Sequence, residues 1–204
     1  MRNLFVTAML ALLMPAAMAQ APEAPAVPKP ATVQVVLTTT EGAITIEVEK
    51  ERAPITAANF LRYVDQKRLD GANFYRAVKV QDNFGLVQFG VRNDPKRVLP
   101  NIAHEPTSKT GLSHVDGTIS MARAAPGTAS GDFFITLGEQ TSMNADASQP
   151  GDNLGYAAFG RIVGGMDVIH HIFDAPTSPT AGPAAMKGQI LLAPVRIISA
   201  RRAT

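Results

Sequence analysis

Short apolar-polar runs recur along this chain, separated by breaks rich in Gly, Pro and Asn. Residues 33–39 (VQVVLTT) and 43–49 (AITIEVE) are two such runs, joined by Thr40-Glu41-Gly42 with the composition of a hairpin turn. In the second run Ile44, Ile46 and Val48 share one face and Thr45, Glu47 and Glu49 the other, which predicts a half-buried edge strand. The period then lengthens. Phe60, Leu61 and Val64 mark one buried stripe of a helix over 57–64, with Thr56 as its expected N-cap. Residues 72–80 (ANFYRAVKV) return to alternation and place Arg76 on the same face as Phe74, Val78 and Val80. A charge on an apolar face is costly unless its head reaches water or finds acceptors.

Residues 86–91 (LVQFGV) predict another strand, with Gln88 on the side of Leu86. Residues 93–111 carry no period and predict a long surface loop. Strands follow at 117–122 and 132–137, around a turn of Ala, Pro, Gly, Thr and Ser. Phe133 and Phe134 are neighbours on the second of these, so one ring enters the core and the other is left on the opposite face. A loop at 139–155, a strand at 156–163, a helix at 166–173, a loop at 174–187 and a closing strand at 189–198 complete the chain. Pro194 within the closing strand predicts an edge or a bulge. These elements predict a mainly β domain, a closed eight-stranded antiparallel barrel capped by two helices, with a sandwich as the alternative.

The N-terminus follows a different pattern. Met1-Arg2-Asn3 is basic, residues 4–14 are almost wholly apolar, and Ala17-Met18-Ala19 has the small-x-small form of a cleavage site. That run is far short of the ~20 residues that span a bilayer, so residues 1–19 are expected to be a signal peptide that exports the protein, with an uncleaved membrane anchor as the alternative. Residues 20–31 (QAPEAPAVPKPA) predict an extended Pro/Ala-rich linker, and residues 32–204 a single domain.

The formal net charge is +2 and the basic residues are scattered, which argues against nucleic acid as a partner. The absence of cysteine excludes disulfides, thiolate catalysis and Cys-based zinc sites. His104, His114, His170 and His171 show no metal-ligand spacing. Ser113-His114-Val115-Asp116 sets triad residue types side by side, whereas triads are assembled by the fold, and no G-x-S-x-G elbow is present.

Phe74-Tyr75-Arg76, Gln88-x-Gly90, Gly117-Thr118-Ile119-Ser120-Met121-Ala122, Gly131-Asp132-Phe133-Phe134-Ile135 and Tyr156-Ala157-Ala158-Phe159-Gly160-Arg161 follow one another along the chain. In that order they resemble the motifs of cyclophilin-type peptidyl-prolyl cis–trans isomerases. The Gly42 hairpin, Ala53-Pro54 with Asn59-Phe60, and Gly165-Met166-Asp167-Val168 match as well. The export signal and the Gly155-Tyr156 pair resemble the bacterial periplasmic branch. The resemblance implies acceleration of X–Pro isomerisation during folding of exported proteins, on proline-containing unfolded or extended polypeptides, by a monomer. No bond breaks, so no cofactor, metal or nucleophile is expected. It implies Arg76 as the catalytic donor and Gln88 as its orienter or a backbone ligand. Leu86, Phe134 and Met143 would line the proline pocket, Tyr156 its rim, and Ala122 would accept the substrate backbone.

Three departures from the family pattern stand out. The chain is longer between Arg76 and Gln88, and Gly85 falls where the family has phenylalanine, with Phe84 or Phe89 as possible replacements. Asp132 replaces a glutamine and is expected either to lock Arg76 or to neutralise it. A large aromatic is missing near Ser142-Met143, which predicts a shallower pocket and slower turnover. The alternative function is a peptide-binding module or holdase with little turnover, in which Arg76 would be paired with Asp132.

Overall fold

The two ends of the domain lie side by side. Strand β1 (Val33–Thr39) pairs antiparallel with β2 (Gly42–Val48) on one side and with the last long strand, β9 (Ile190–Arg202), on the other. The computed structural model describes residues 30–92 and 94–203. The expected signal peptide and residues 20–29 of the expected linker therefore lie outside the described residues.

Between these ends run β3 (Asn73–Gln81), β4 (Phe84–Gly90), β5 (Thr118–Met121), β6 (Asp132–Leu137) and β7 (Ala158–Gly164). Hydrogen bonding follows the order β1-β2-β7-β5-β6-β4-β3-β9, and the β1–β9 pairing closes eight strands into a ring. A two-residue strand, β8 (Thr177–Ser178), is added outside β9. Closure decides between the barrel and the sandwich, and it removes exposed edges. It also corrects the reading of β2. That strand is flanked by β1 and β7, and its outward Glu47 is covered by Arg161, whose Nη2 lies 2.7 Å from Oε1.

The barrel carries three helices rather than two: α1 (Pro54–Asp65), a single turn α2 (Thr107–Thr110) inside the 93–111 loop, and α3 (Met166–Asp174). Helix α1 starts two residues before the expected cap. Pro54 opens it, where a fixed φ and a missing N–H are harmless, and Ala53 stands at the N-cap. Thr56 is inside the first turn. Its backbone N–H and its hydroxyl donate to Glu105 Oε2 at 2.7 and 2.8 Å. Capping thus comes from a fully buried carboxyl forty-nine residues away, placed where the helix dipole favours negative charge.

The apolar stripes of α1 and α3 close the barrel interior. Phe60, Leu61 and Val64 are buried on α1, and Val168, Ile169, Ile172 and Phe173 on α3. Phe133 is central, with ring centroids of Phe60, Tyr63, Phe89 and Phe159 at 5.1, 5.8, 5.5 and 6.0 Å. Phe134 faces the other way, as the alternation on β6 requires. Among the described residues no helix is long and apolar enough to cross a membrane.

Replacing Glu105 by Ala strands two buried donors at the start of α1. We expect a loss of roughly 1–3 kcal/mol, seen as a lower urea midpoint at unchanged slope. An unchanged midpoint would show that the helix end finds other acceptors.

Candidate active site

The site begins where the period of β3 fails. Phe74 pairs with Phe89 and Arg76 with Gln88, so β3 uses two residues for one step of β4 and Tyr75 is extra. The bulge resets the alternation. Phe74 and Ala77 both point into the core, while Tyr75 and Arg76 project to the outer face. Arg76 therefore does not share the apolar face of Phe74, as simple alternation predicts. On β9 the matching step runs from Val195 to Ile190, and Pro194, which has no N–H to offer a ladder, falls in this break.

Outside the bulge lies a cleft of about 770 Å³. It gathers Arg76, Leu86, Gln88, Ala122, Phe134, Met143 and Tyr156, the residues named from the sequence, together with Asp132. Phe134 lies on its apolar floor, with the Tyr156 ring edge-on at 5.3 Å and His114 stacked on it at 6.1 Å. Arg123 pins the Tyr156 side. Its guanidinium lies 5.2 Å from that ring's centroid, and its Nη1 is held by Asp152 Oδ2 at 2.8 Å.

Arg76 is half-buried and held by neutral groups. Nη1 donates to Gln88 Oε1 at 2.9 Å, while Nε and Nη2 donate to Gln189 Oε1 at 2.8 and 2.5 Å. Burial lowers its pKa from the ordinary arginine value, yet a guanidinium stays protonated in proteins. The cation thus sits in the cleft with its geometry set and its charge uncancelled by these partners.

Asp132 shares the cleft without engaging Arg76. Its Oδ1 accepts the Arg92 backbone N–H at 3.0 Å, and its carboxylate accepts the Tyr75 hydroxyl. Burial raises the Asp132 pKa, an effect these hydrogen bonds oppose, and burial followed by the Asp132 charge raises that of Tyr75. The Arg92 guanidinium lies 4.9 Å from the Tyr75 ring centroid. Locking or neutralising Arg76 is therefore not what Asp132 does here, and the pairing expected of a pure binder is not formed.

The other departures also have local reasons. A Cβ on Gly85 would strike the Val78 carbonyl and the Phe173 ring, so the β3–β4 hairpin leaves no room for a side chain there. Neither neighbouring aromatic replaces it. Phe89 is fully buried in the core, and Phe84 packs toward Gly138. Leu86, Val78, Met186 and Ile190 supply the apolar wall on that side. Where the large aromatic is missing, Met143 and Tyr156 line the cleft.

Behind Phe134 the fold assembles a Ser-His-Asn chain. His114 Nε2 lies 2.9 Å from Ser120 Oγ, and Nδ1 lies 2.7 Å from Asn144 Oδ1. Since that oxygen can only accept, Nδ1 carries the proton and Nε2 accepts from Ser120. Both Ser120 and His114 are 0 % exposed, so no ester or amide could reach the hydroxyl. Ser113 and Asp116 turn elsewhere, to Asn144 Nδ2 and the Gly138 N–H. Hydrolase chemistry has no foothold. The chain instead fixes the ring that backs Phe134. Among the described residues no three His, Asp or Glu side chains converge as a metal site would require.

The sequence reading missed Tyr75, Arg92, Arg123 and Gln189, all at this cleft or on its key side chain. Three of them stand within two residues of a named motif. Gln189 directly precedes β9, outside every named motif, and no local pattern marks it.

Burial lowers the His114 pKa below its ordinary value of 6.5. The unfolded chain therefore takes up the proton first as pH falls, and stability present above about pH 6.5 is lost on acidification toward the folded pKa. We expect melting temperature to fall between pH 7.5 and 5, and His114→Gln to flatten that slope. An equal slope in the variant would assign the acid lability elsewhere.

Residues 34–201 match the family described as cyclophilin type peptidyl-prolyl cis-trans isomerase/CLD. The peptidyl-prolyl cis-trans isomerase of Acinetobacter baylyi is 34% identical over 170 residues, 83% of this chain and 85% of the relative. Peptidyl-prolyl cis-trans isomerase A of Dickeya dadantii is 31% identical, over 78% of this chain and 80% of that one. A Cryptosporidium parvum cyclophilin type peptidyl-prolyl cis-trans isomerase has the same fold, with a TM-score of 0.63 at 18% identity, covering 85% of this chain and 99% of its own. The same isomerase solved in the presence of dipeptide Ala-Pro superposes with a TM-score of 0.61 at 19% identity, covering 84% of this chain and 99% of its own. With motifs, closed barrel and relatives in agreement, this chain belongs to the cyclophilin-type peptidyl-prolyl cis–trans isomerase family.

Proposed function

We propose that the chain accelerates cis–trans isomerisation of X–Pro bonds in exported polypeptides, with Arg76 as the catalytic residue. The observation that carries this reading is a charged guanidinium held by amide oxygens beside an apolar floor. Amide resonance sets a barrier of ~18–20 kcal/mol, and twisting the bond abolishes that resonance. The prolyl nitrogen then becomes a hydrogen-bond acceptor. A donor already aimed at it interacts more strongly with the twisted amide than with either planar form, which is what lowers the barrier.

The other residues position the substrate. Phe134, Leu86 and Met143 hold the proline ring, and Tyr156 bounds it. Gln88 orients Arg76. Ala122 leaves room for an extended substrate strand beside it, and its own N–H is already taken by the Asp132 carbonyl at 3.0 Å. Its carbonyl is the group offered to the substrate backbone. Asp132 belongs to the Tyr75–Arg92 side of the cleft.

The N-terminal pattern supports export to a periplasm and a mature chain of residues 20–204 with 20–31 as a linker, and together with the Gly155-Tyr156 pair it supports placement in the bacterial periplasmic branch. Mass spectrometry of protein recovered from an expressing Gram-negative cell should find Gln20 at the N-terminus. An intact Met1–Ala19 segment on the recovered protein would overturn this.

In a protease-coupled or NMR exchange assay on a Pro-containing peptide, Arg76→Ala should cut turnover by about 10²–10³-fold while peptide affinity changes little. Equal losses in turnover and affinity would make Arg76 a binding residue and return the protein to the holdase class.

A further inference from the structure

We infer that Gln189 is a positioning residue for Arg76, an inference that rests on the catalytic reading of that arginine. Its backbone is stitched to the bulged strand: the Gln189 carbonyl accepts the Ala77 N–H at 2.8 Å, and its own N–H donates to the Met186 carbonyl at 3.1 Å. Gly188 is tied to the Ser178 carbonyl at 3.1 Å. The residue just before β9 is thereby set against β3 one step from Arg76. From there its side-chain oxygen takes both Nε and Nη2. The partner atom must be the oxygen, since a guanidinium offers donors only.

Gln88 alone could not do this. One hydrogen bond at Nη1 leaves the guanidinium plane free to turn about that contact. A second acceptor bridging Nε and Nη2 from the opposite edge fixes the plane. Of the five N–H groups of arginine, three are then used, which leaves one on each terminal nitrogen for a substrate. Both restraining groups are neutral amides. A carboxylate in either place would hold the same plane but offset the charge that the twisted amide calls on.

A plainer role is also open to Gln189: filling space between the loop and β3. Methionine separates the two, because it keeps length and bulk but accepts almost nothing. On the full protein, Gln189→Met should lower kcat by roughly ten- to a hundredfold with KM within twofold. The Arg76 Nε–H resonance should lose its restrained, slowly exchanging character. Gln189→Glu keeps an acceptor, so it should retain that resonance and recover part of the turnover. In an Arg76→Ala background Gln189→Met should cost nothing more. Wild-type kcat in Gln189→Met, or a loss that persists without Arg76, would overturn the inference. If Arg76→Ala is impaired while Gln189→Met is not, only the Gln189 role falls. If Arg76→Ala keeps full turnover, the catalytic reading itself falls and this role with it.

Discussion

A guanidinium cannot be buried in the apolar interior of a closed barrel without several kcal/mol of penalty. This chain meets that constraint with one extra residue. The bulge at Tyr75 lets Phe74 and Ala77 both serve the core while Arg76 leaves it between them. Without the bulge, either the charge would point inward or the phenylalanine outward. The cleft exists because the strand was made irregular at this place.

Once outside, the cation is kept apart from the nearest anion. Asp132 is occupied by Tyr75 and the Arg92 backbone, and Arg76 by two carboxamide oxygens. Two charged groups thus line one cleft without cancelling each other. The geometry suits a reaction in which a positive donor acts on a nitrogen lone pair that is exposed only as the bond twists.

The floor of the cleft shows the same economy. Phe133 and Phe134 are adjacent, and β geometry sends one ring to the core and the other to the cleft. Behind Phe134, His114 is locked between Ser120 and Asn144. A serine and a histidine within hydrogen-bond reach are here sealed from solvent and serve to hold an aromatic surface in place.

Much of this was legible in the residues alone. Alternation and turn chemistry determined the strands, the mainly β class and the split of the two phenylalanines, because these are local consequences of a two-residue period and of Gly and Pro. The family resemblance named Arg76, Leu86, Gln88, Ala122, Phe134, Met143 and Tyr156, which do meet in the cleft, but not Tyr75, Arg92 or Arg123 beside them. Tertiary structure alone decided that β2 is no edge, because only ring closure gives it a second neighbour. It likewise decided that Glu105 and not Thr56 caps α1, that Asp132 turns from Arg76, and that Gln189 reaches it. Each of these depends on a contact between residues tens of positions apart. Periodicity carries no information about such contacts, since it records which way a side chain faces and not what the fold brings to meet it.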